Sequence, residues 1–264
     1  MKDYTLKYGK GSVTFALDEA HVTELYGTPV PKIDDIRAAL YATLSSPVSH
    51  EPLESWVNPG DKVALIVSDM SRFWMRQDLV VPHIISYLTD KCDVNQNNIT
   101  IIIANGTHPG GDENELRMLV TDGVYDRIRV VNHDCQAKDL VYIGTTSLGT
   151  EVRINPIAAN ADKVIMLGAC TYHVMAGYGG GRKSILPGIS GLETIRQNHL
   201  HSLDLLAPRS NPLIGNGVTD GNPLNEDMCQ AAAMVKNLFG INLVTNADMQ
   251  LAHIISGDPM KSWH

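Results

Sequence analysis

Three short runs rich in Val and Ile, Val63–Ser68, Ile99–Ala104 and Lys163–Leu167, constrain the fold more than any other feature of the sequence. None alternates apolar with polar residues, so each reads as a strand buried on both faces, as in a parallel sheet covered by helices. Helical periodicity falls between them, over Leu79–Thr89 (Val80, His83, Ile84 and Leu88 on one side) and over Glu113–Val120. Further strands are expected at Arg127–Val131, Ile241–Thr245 and Leu251–Ile255, and helices at Asn155–Asn160, Leu192–His199 and Asn225–Leu238. Leu140–Ile154 reads as a hairpin or a pair of extended segments. This alternation predicts an α/β protein with a Rossmann-like, doubly wound, mainly parallel sheet and helices on both faces.

The 264 residues suffice for one sizeable domain with a small annex. Residues 4–30 read as short strands and turns, and from Lys32 the spacing of Ile33, Ile36, Leu40 and Leu44 is helical. The organisation expected is a strand–helix annex over residues 1–60 and an α/β core over 61–258. A net charge of −8 argues against a nucleic-acid surface, while a few local cations still suffice for a small carboxylate. Met1-Lys2-Asp3-Tyr4 opens no secretory signal, and the longest apolar runs are too short to span a bilayer. Cys92, Cys135, Cys170 and Cys229 are scattered, with neither disulfide-scaffold nor zinc-site spacing. A reduced, cytoplasmic protein is expected, and the ten methionines read as core filler.

Ligands of open parallel sheets bind beyond the carboxyl ends of the strands. Asp69-Met70-Ser71-Arg72 follows the first run, and Asn105-Gly106-Thr107-His108 follows the second. Beyond the third, Gly168–His173 leads into Gly177-Tyr178-Gly179-Gly180-Gly181-Arg182-Lys183-Ser184. Three strand ends thus bring an Arg, two His and a Lys-bearing, Gly-rich loop to one edge. Successive glycine N–H groups make an anion nest, so a nucleotide phosphate is the natural ligand for the loop. The loop is no Walker A sequence, because Arg182 stands where its second glycine belongs, and no GxGxxG opens the first crossover.

The block His173–Gly188, continued by Thr194-Ile195-Arg196-Gln197-Asn198-His199, resembles the central motif of the lactate racemase family. Asp69-Met70-Ser71-Arg72 and Gly106-Thr107-His108 resemble two further motifs of that family in the same order, and the likeness runs from about Asp61 to Asp258. The resemblance implies a 2-hydroxyacid racemase or epimerase using a nickel pincer nucleotide, a nickel-bearing pyridinium mononucleotide with two thio-acyl arms. It implies that Lys183 carries this cofactor covalently, that His199 is the protein's nickel ligand, and that Gly179, Gly180, Gly181, Arg182 and Ser184 cradle it. It also implies His108 and His173 as paired acid/base groups, Arg72 as the substrate-carboxylate binder, and Asp69 as an acidic residue near the lysine. Arg76 is close enough to substitute for Arg72. His201 reads as solvated, and His21, His50, His83, His133 and His253 as structural.

These residue types suit that chemistry. Taking a proton from Cα of a hydroxyacid would place a carbanion beside a carboxylate, whereas hydride removal gives a planar 2-keto acid, with the cofactor accepting the hydride. Two bases are required because the hydroxyl points to opposite sides in the two enantiomers, and histidine titrates near working pH. Phe73-Trp74-Met75 and Pro109-Gly110-Gly111 depart from the family pattern, where proline and arginine are common, and point away from lactate toward a larger or aromatic hydroxyacid. The resemblance further implies cofactor-biosynthesis proteins as partners and a second, closing domain absent from this sequence. A nicotinamide-type dehydrogenase and a non-catalytic nucleotide- or hydroxyacid-binding domain are the competing readings.

Overall fold

A computed structural model describes residues 1–25 and 27–263; Tyr26, within the stretch expected to form short strands and turns, and His264 lie outside them. The chain divides into two compact units, Met1–Val30 and the residues from Pro31 onward. The first is an antiparallel hairpin of β1 (Lys2–Tyr8) and β2 (Gly11–Leu17), in which Tyr4 pairs with Phe15.

The second unit continues with α1 (Ile36–Ser45), α2 (Leu53–Trp56), β3 (Val63–Ser68), α3 (Val81–Asp90), β4 (Ile99–Ala104), α4 (Glu113–Val120), α5 (Asp122–Tyr125) and β5 (Arg129–Asn132). A hairpin follows, β6 (Val141–Thr145) and β7 (Glu151–Ile154), then α6 (Pro156–Ala159) and β8 (Lys163–Ala169). Two-residue pairs β9 (Tyr172–His173) and β10 (Gly177–Tyr178) precede α7 (Leu192–Leu200), and β11 (Leu203–Asp204) and β12 (Arg209–Ser210) precede α8 (Pro223–Ala233). The chain then forms β13 (Leu238–Thr245) and β14 (Leu251–Gly257).

Six of these strands make the central sheet in the order β14-β13-β8-β3-β4-β5. Counted along the chain from the β5 edge this is 3-2-1-4-5-6, an order found in doubly wound sheets. All neighbours are parallel except β13 and β14. Both faces are covered, as the unalternating runs require: Leu65, Val67, Ile101, Ile103, Ile165 and Leu167 enter one core, Ala64, Ile66, Ile102, Val164 and Met166 the other.

Local chemistry moves some boundaries. Asp35 caps α1 by accepting from Ala38 N at 2.9 Å, so the helix starts after the first periodic residue, Ile33. Ile33 N instead donates to Leu251 O at 2.7 Å, and Ser256 N donates to Thr43 Oγ1 at 2.9 Å. Residues 31–60, grouped by their sequence with the annex, therefore pack into the larger unit. The helix expected over Asn225–Leu238 ends at Ala233, because Asn237 takes a left-handed conformation (φ 49°) and turns the chain into β13. Among the described residues no helix is long and apolar enough to cross a membrane.

Candidate active site

From the neighbours β3 and β8 the strand order runs outward in both directions, and such a switch point opens a crevice at the carboxyl ends. A cavity of about 400 Å³ lies there. Asp69, Ser71 and Arg72 reach it from the end of β3, and Asn105 and His108 from the end of β4. His173, Gly179, Gly180, Lys183 and Ser184 come from the segment after β8, and His199 comes from α7.

On one wall His108 Nδ1 donates to Asp69 Oδ2 at 2.6 Å, and Ser71 Oγ donates to Asp69 Oδ1 at 2.6 Å. Arg72 Nη1 donates to Ser71 Oγ at 3.0 Å. The carboxylate holds a ring proton on Nδ1, so that Nε2 is the nitrogen turned to the cavity, the arrangement a general base needs. Arg76 does not line the cavity; its guanidinium is bound by Asp78 at 2.9 and 3.1 Å.

His173 is held the other way round. Its Nδ1 accepts from Met175 N at 3.2 Å and from Ala176 N at 3.1 Å, so the ring proton sits on Nε2. Burial pushes this imidazole down to about 4, helped by Lys183, Arg72, Arg182 and His199. Lys183 Nζ stands 3.3 Å from that Nε2. Burial, with the charges of Arg182 and Arg72, lowers the Lys183 amine to about 7. A neutral amine accepting the Nε2–H satisfies both groups, and a neutral amine is a nucleophile.

His199 presents a third pattern: its Nδ1–H donates to Ile195 O at 2.8 Å, one helical turn back. Burial lowers its pKa, and the carbonyl directs the remaining lone pair, on Nε2, outward. Histidines that ligate metals are typically anchored in this way. Behind α7, Asn198 Nδ2 donates to the buried Asp227 Oδ2 at 2.9 Å. Asp227 also accepts from Thr146 and Thr150, tying the β6–β7 hairpin to α7 and α8.

The glycines permit close approach. A Cβ on Gly168 would lie 2.9 Å from Gly180 Cα, and Gly180 itself has φ 74°. Gly181 and Arg182 do not line the cavity. Gly181 N donates to Asn242 Oδ1 at 3.1 Å. Arg182, fully buried, donates to Asn225 Oδ1 (2.8 Å), Ala176 O (2.7 Å) and Tyr178 O (3.1 Å) and lies 3.6 Å over the Trp263 ring. Its guanidinium thus holds the loop's own carbonyls. His201, expected in solvent, has its Nε2 buried 3.9 Å from Asp227 Oδ2. Sequence reasoning gave no role to Asn105, Ser71, Asn242 or Asp227, although Ser71 and Asn105 stand at strand ends and Asn242 is a polar residue inside a mainly apolar strand.

Residues 8–209 match the lactate racemase N-terminal domain. The chain belongs to that family. It is 26% identical over 271 residues to the lactate racemase of Thermoanaerobacterium thermosaccharolyticum, covering 99% of this chain and 61% of that protein. It is 27% identical over 258 residues to the lactate racemase of Lactiplantibacillus plantarum, covering 96% and 59%. The lactate racemase apoprotein structure from T. thermosaccharolyticum superposes with a TM-score of 0.86 at 25% identity, over 99% of this chain and 60% of that one. A Thermotoga maritima protein shares the fold, with a TM-score of 0.62 at 18% identity, covering 84% and 53%. The chain spans about 60% of the length of the curated relatives it matches.

Proposed function

We propose that this chain is the cofactor-holding, catalytic part of a 2-hydroxyacid racemase or epimerase that uses a Lys-tethered nickel pincer nucleotide. The observation that carries the reading is the gathering of three differently anchored imidazoles and one buried lysine around a single cavity. His108 offers its Nε2, His173 an Nε2–H, and His199 an Nε2 anchored from behind.

These residues suit the cofactor. Lys183 has the neutral amine that thioamide formation consumes, and the glycine backbone at 179 and 180 borders the cavity as a phosphate nest would. His199 Nε2 is a borderline nitrogen donor of the kind nickel accepts. Among the described residues no three His, Cys, Asp or Glu side chains converge on a metal position, so the other donors would belong to the organic group. When bound, the group would accept a hydride from the substrate Cα and return it.

The chain's own groups do the rest. Arg72, on the cavity wall, binds the substrate carboxylate and fixes the point about which the keto acid turns. His108 Nε2 takes the hydroxyl proton, and Asp69 stabilises the imidazolium that forms. His173 serves the opposite face through Nε2. To act there as a base it must first give up its two backbone N–H donors, Met175 and Ala176, so movement of the 173–176 turn accompanies that half of the cycle.

The test is a single-enantiomer assay on protein produced together with the cofactor-biosynthesis proteins. Conversion to the racemate without accumulation of 2-keto acid supports the reading. Stoichiometric keto-acid formation dependent on added nicotinamide nucleotide would establish a dehydrogenase instead.

A further inference from the structure

A second chamber of about 310 Å³ adjoins the catalytic cavity. The two share Asp69, Ser71, Asn105 and His108, so the hydrogen-bonded Asp69–His108 pair borders both. On the far side the walls are Met70, Ile103, Pro109 and Leu119, with Gly110 and Gly111 contributing backbone alone and Glu115 the one charged side chain. Ile103 and Leu119 belong to the main hydrophobic core, and Met70 packs against it.

Several of the polar groups at this chamber are held by bonds of their own. Asn105 Nδ2 donates to Pro109 O at 3.2 Å, and its Oδ1 accepts from His133 N at 3.1 Å. Glu115 Oε2 accepts from Asp112 N at 3.1 Å, closing the capping box of α4. Gly111 N donates to Asn132 Oδ1 at 3.1 Å. A group entering past His108 therefore meets a mainly apolar wall, with the Glu115 carboxylate turned to its own helix cap. Such a space rewards an apolar group and penalises a polar one.

We propose that this chamber receives the side chain of the substrate, and that the substrate is a 2-hydroxyacid bearing a bulky apolar group of about phenyl size. The proposal rests on the racemase reading above. With the carboxylate at Arg72 and the hydroxyl at His108 Nε2, the group on Cα has the shared Asp69–His108 boundary beside it. The methyl of lactate would leave the chamber empty. A benzyl group fills it and removes apolar surface from water on both partners. Trp74 lines the catalytic cavity and Phe73 packs into the core, so the preference lies with the 109–111 segment and Met70 rather than with the aromatic pair.

Met70 is the residue to vary, since it lines the chamber and holds no catalytic group. Dissociation constants of 3-phenyllactate and lactate for the full chain, measured by ligand-observed NMR, give a readout independent of cofactor loading. The expected result is that 3-phenyllactate binds roughly ten- to a hundredfold tighter than lactate. Met70→Trp, which fills the chamber, should erase that preference without weakening lactate. Met70→Ala, which enlarges it, should keep the preference, with thermal melts confirming that both variants fold. Equal affinities in the unaltered chain, or a preference indifferent to Met70→Trp, would overturn the proposal. Racemisation assays on loaded protein separate the two layers. Turnover of lactate but not 3-phenyllactate overturns the substrate class alone; turnover of neither acid, with the binding preference intact, overturns the racemase reading and leaves the chamber as an acid-binding subsite.

Discussion

Lys183 Nζ lies 3.3 Å from His173 Nε2, and the backbone donors at Nδ1 fix which of the two carries the proton. The amine is the acceptor. Burial lowers it from 10.5 to about 7, so Lys183 is substantially neutral at pH 7.5 while ordinary surface lysines are not. Limited acylation followed by peptide mass spectrometry should show Lys183 reactivity rising with a midpoint near pH 7. A midpoint near 10 would mean that the amine is charged in the fold.

The same depression affects stability. Between about pH 7 and 10.5 the unfolded chain holds more protons at this position than the folded one, so the contribution of Lys183 rises with pH across that window and is most unfavourable below it. Lys183→Met removes the buried charge. It should raise Tm at pH 6 and change it little at pH 10; thermal melts at the two pH values check this.

The two imidazoles of the proposed acid/base pair should hold opposite tautomers. Nitrogen-15 chemical shifts should report Nδ1–H for His108 and Nε2–H for His173. Asp69→Asn removes the carboxylate that orients His108 and stabilises its cation, and should lower kcat about a hundredfold with the loaded protein. A loss confined to KM would assign Asp69 to substrate binding instead.

His199 and Lys183 should be separable. His199→Ala leaves the amine and the glycine backbone in place, so the covalent group should still attach while bound nickel falls below stoichiometry. Metal analysis alongside intact mass decides it. Full nickel content in the variant would place the protein's donor elsewhere.

Much of this architecture was legible because apolar runs report burial directly. Val63–Ser68 and Ile99–Ala104 are strands with the expected bounds, and their ends carry Asp69, Arg72 and His108 to the cavity. Periodicity carries no information on strand direction, so the antiparallel pairing of β14 was invisible. Arg182, which the resemblance counts among the residues cradling the cofactor, has its guanidinium engaged by three carbonyl oxygens, Asn225 and an indole face, partners that tertiary packing supplies and the sequence does not display. Asp227 and His201 were unreadable because their setting is assembled from segments some 80 residues apart.

That brace makes its own prediction. Asp227→Ala leaves the side chains of Thr146, Thr150 and Asn198 without their buried acceptor, and should cost about 3 kcal/mol of stability. Denaturant titration measures it. A change under about 0.5 kcal/mol, the range of a surface substitution, would show that the hairpin and α7 are held by apolar packing alone.

The central claim is that Lys183 carries the cofactor, and a denatured intact mass tests it most directly. The chain and its Lys183→Ala variant would each be produced together with the cofactor-biosynthesis proteins. An adduct of mononucleotide size on the unaltered chain, absent from Lys183→Ala, is the expected result. An unmodified mass under conditions that load a lactate racemase, or an adduct that survives the substitution, would contradict it.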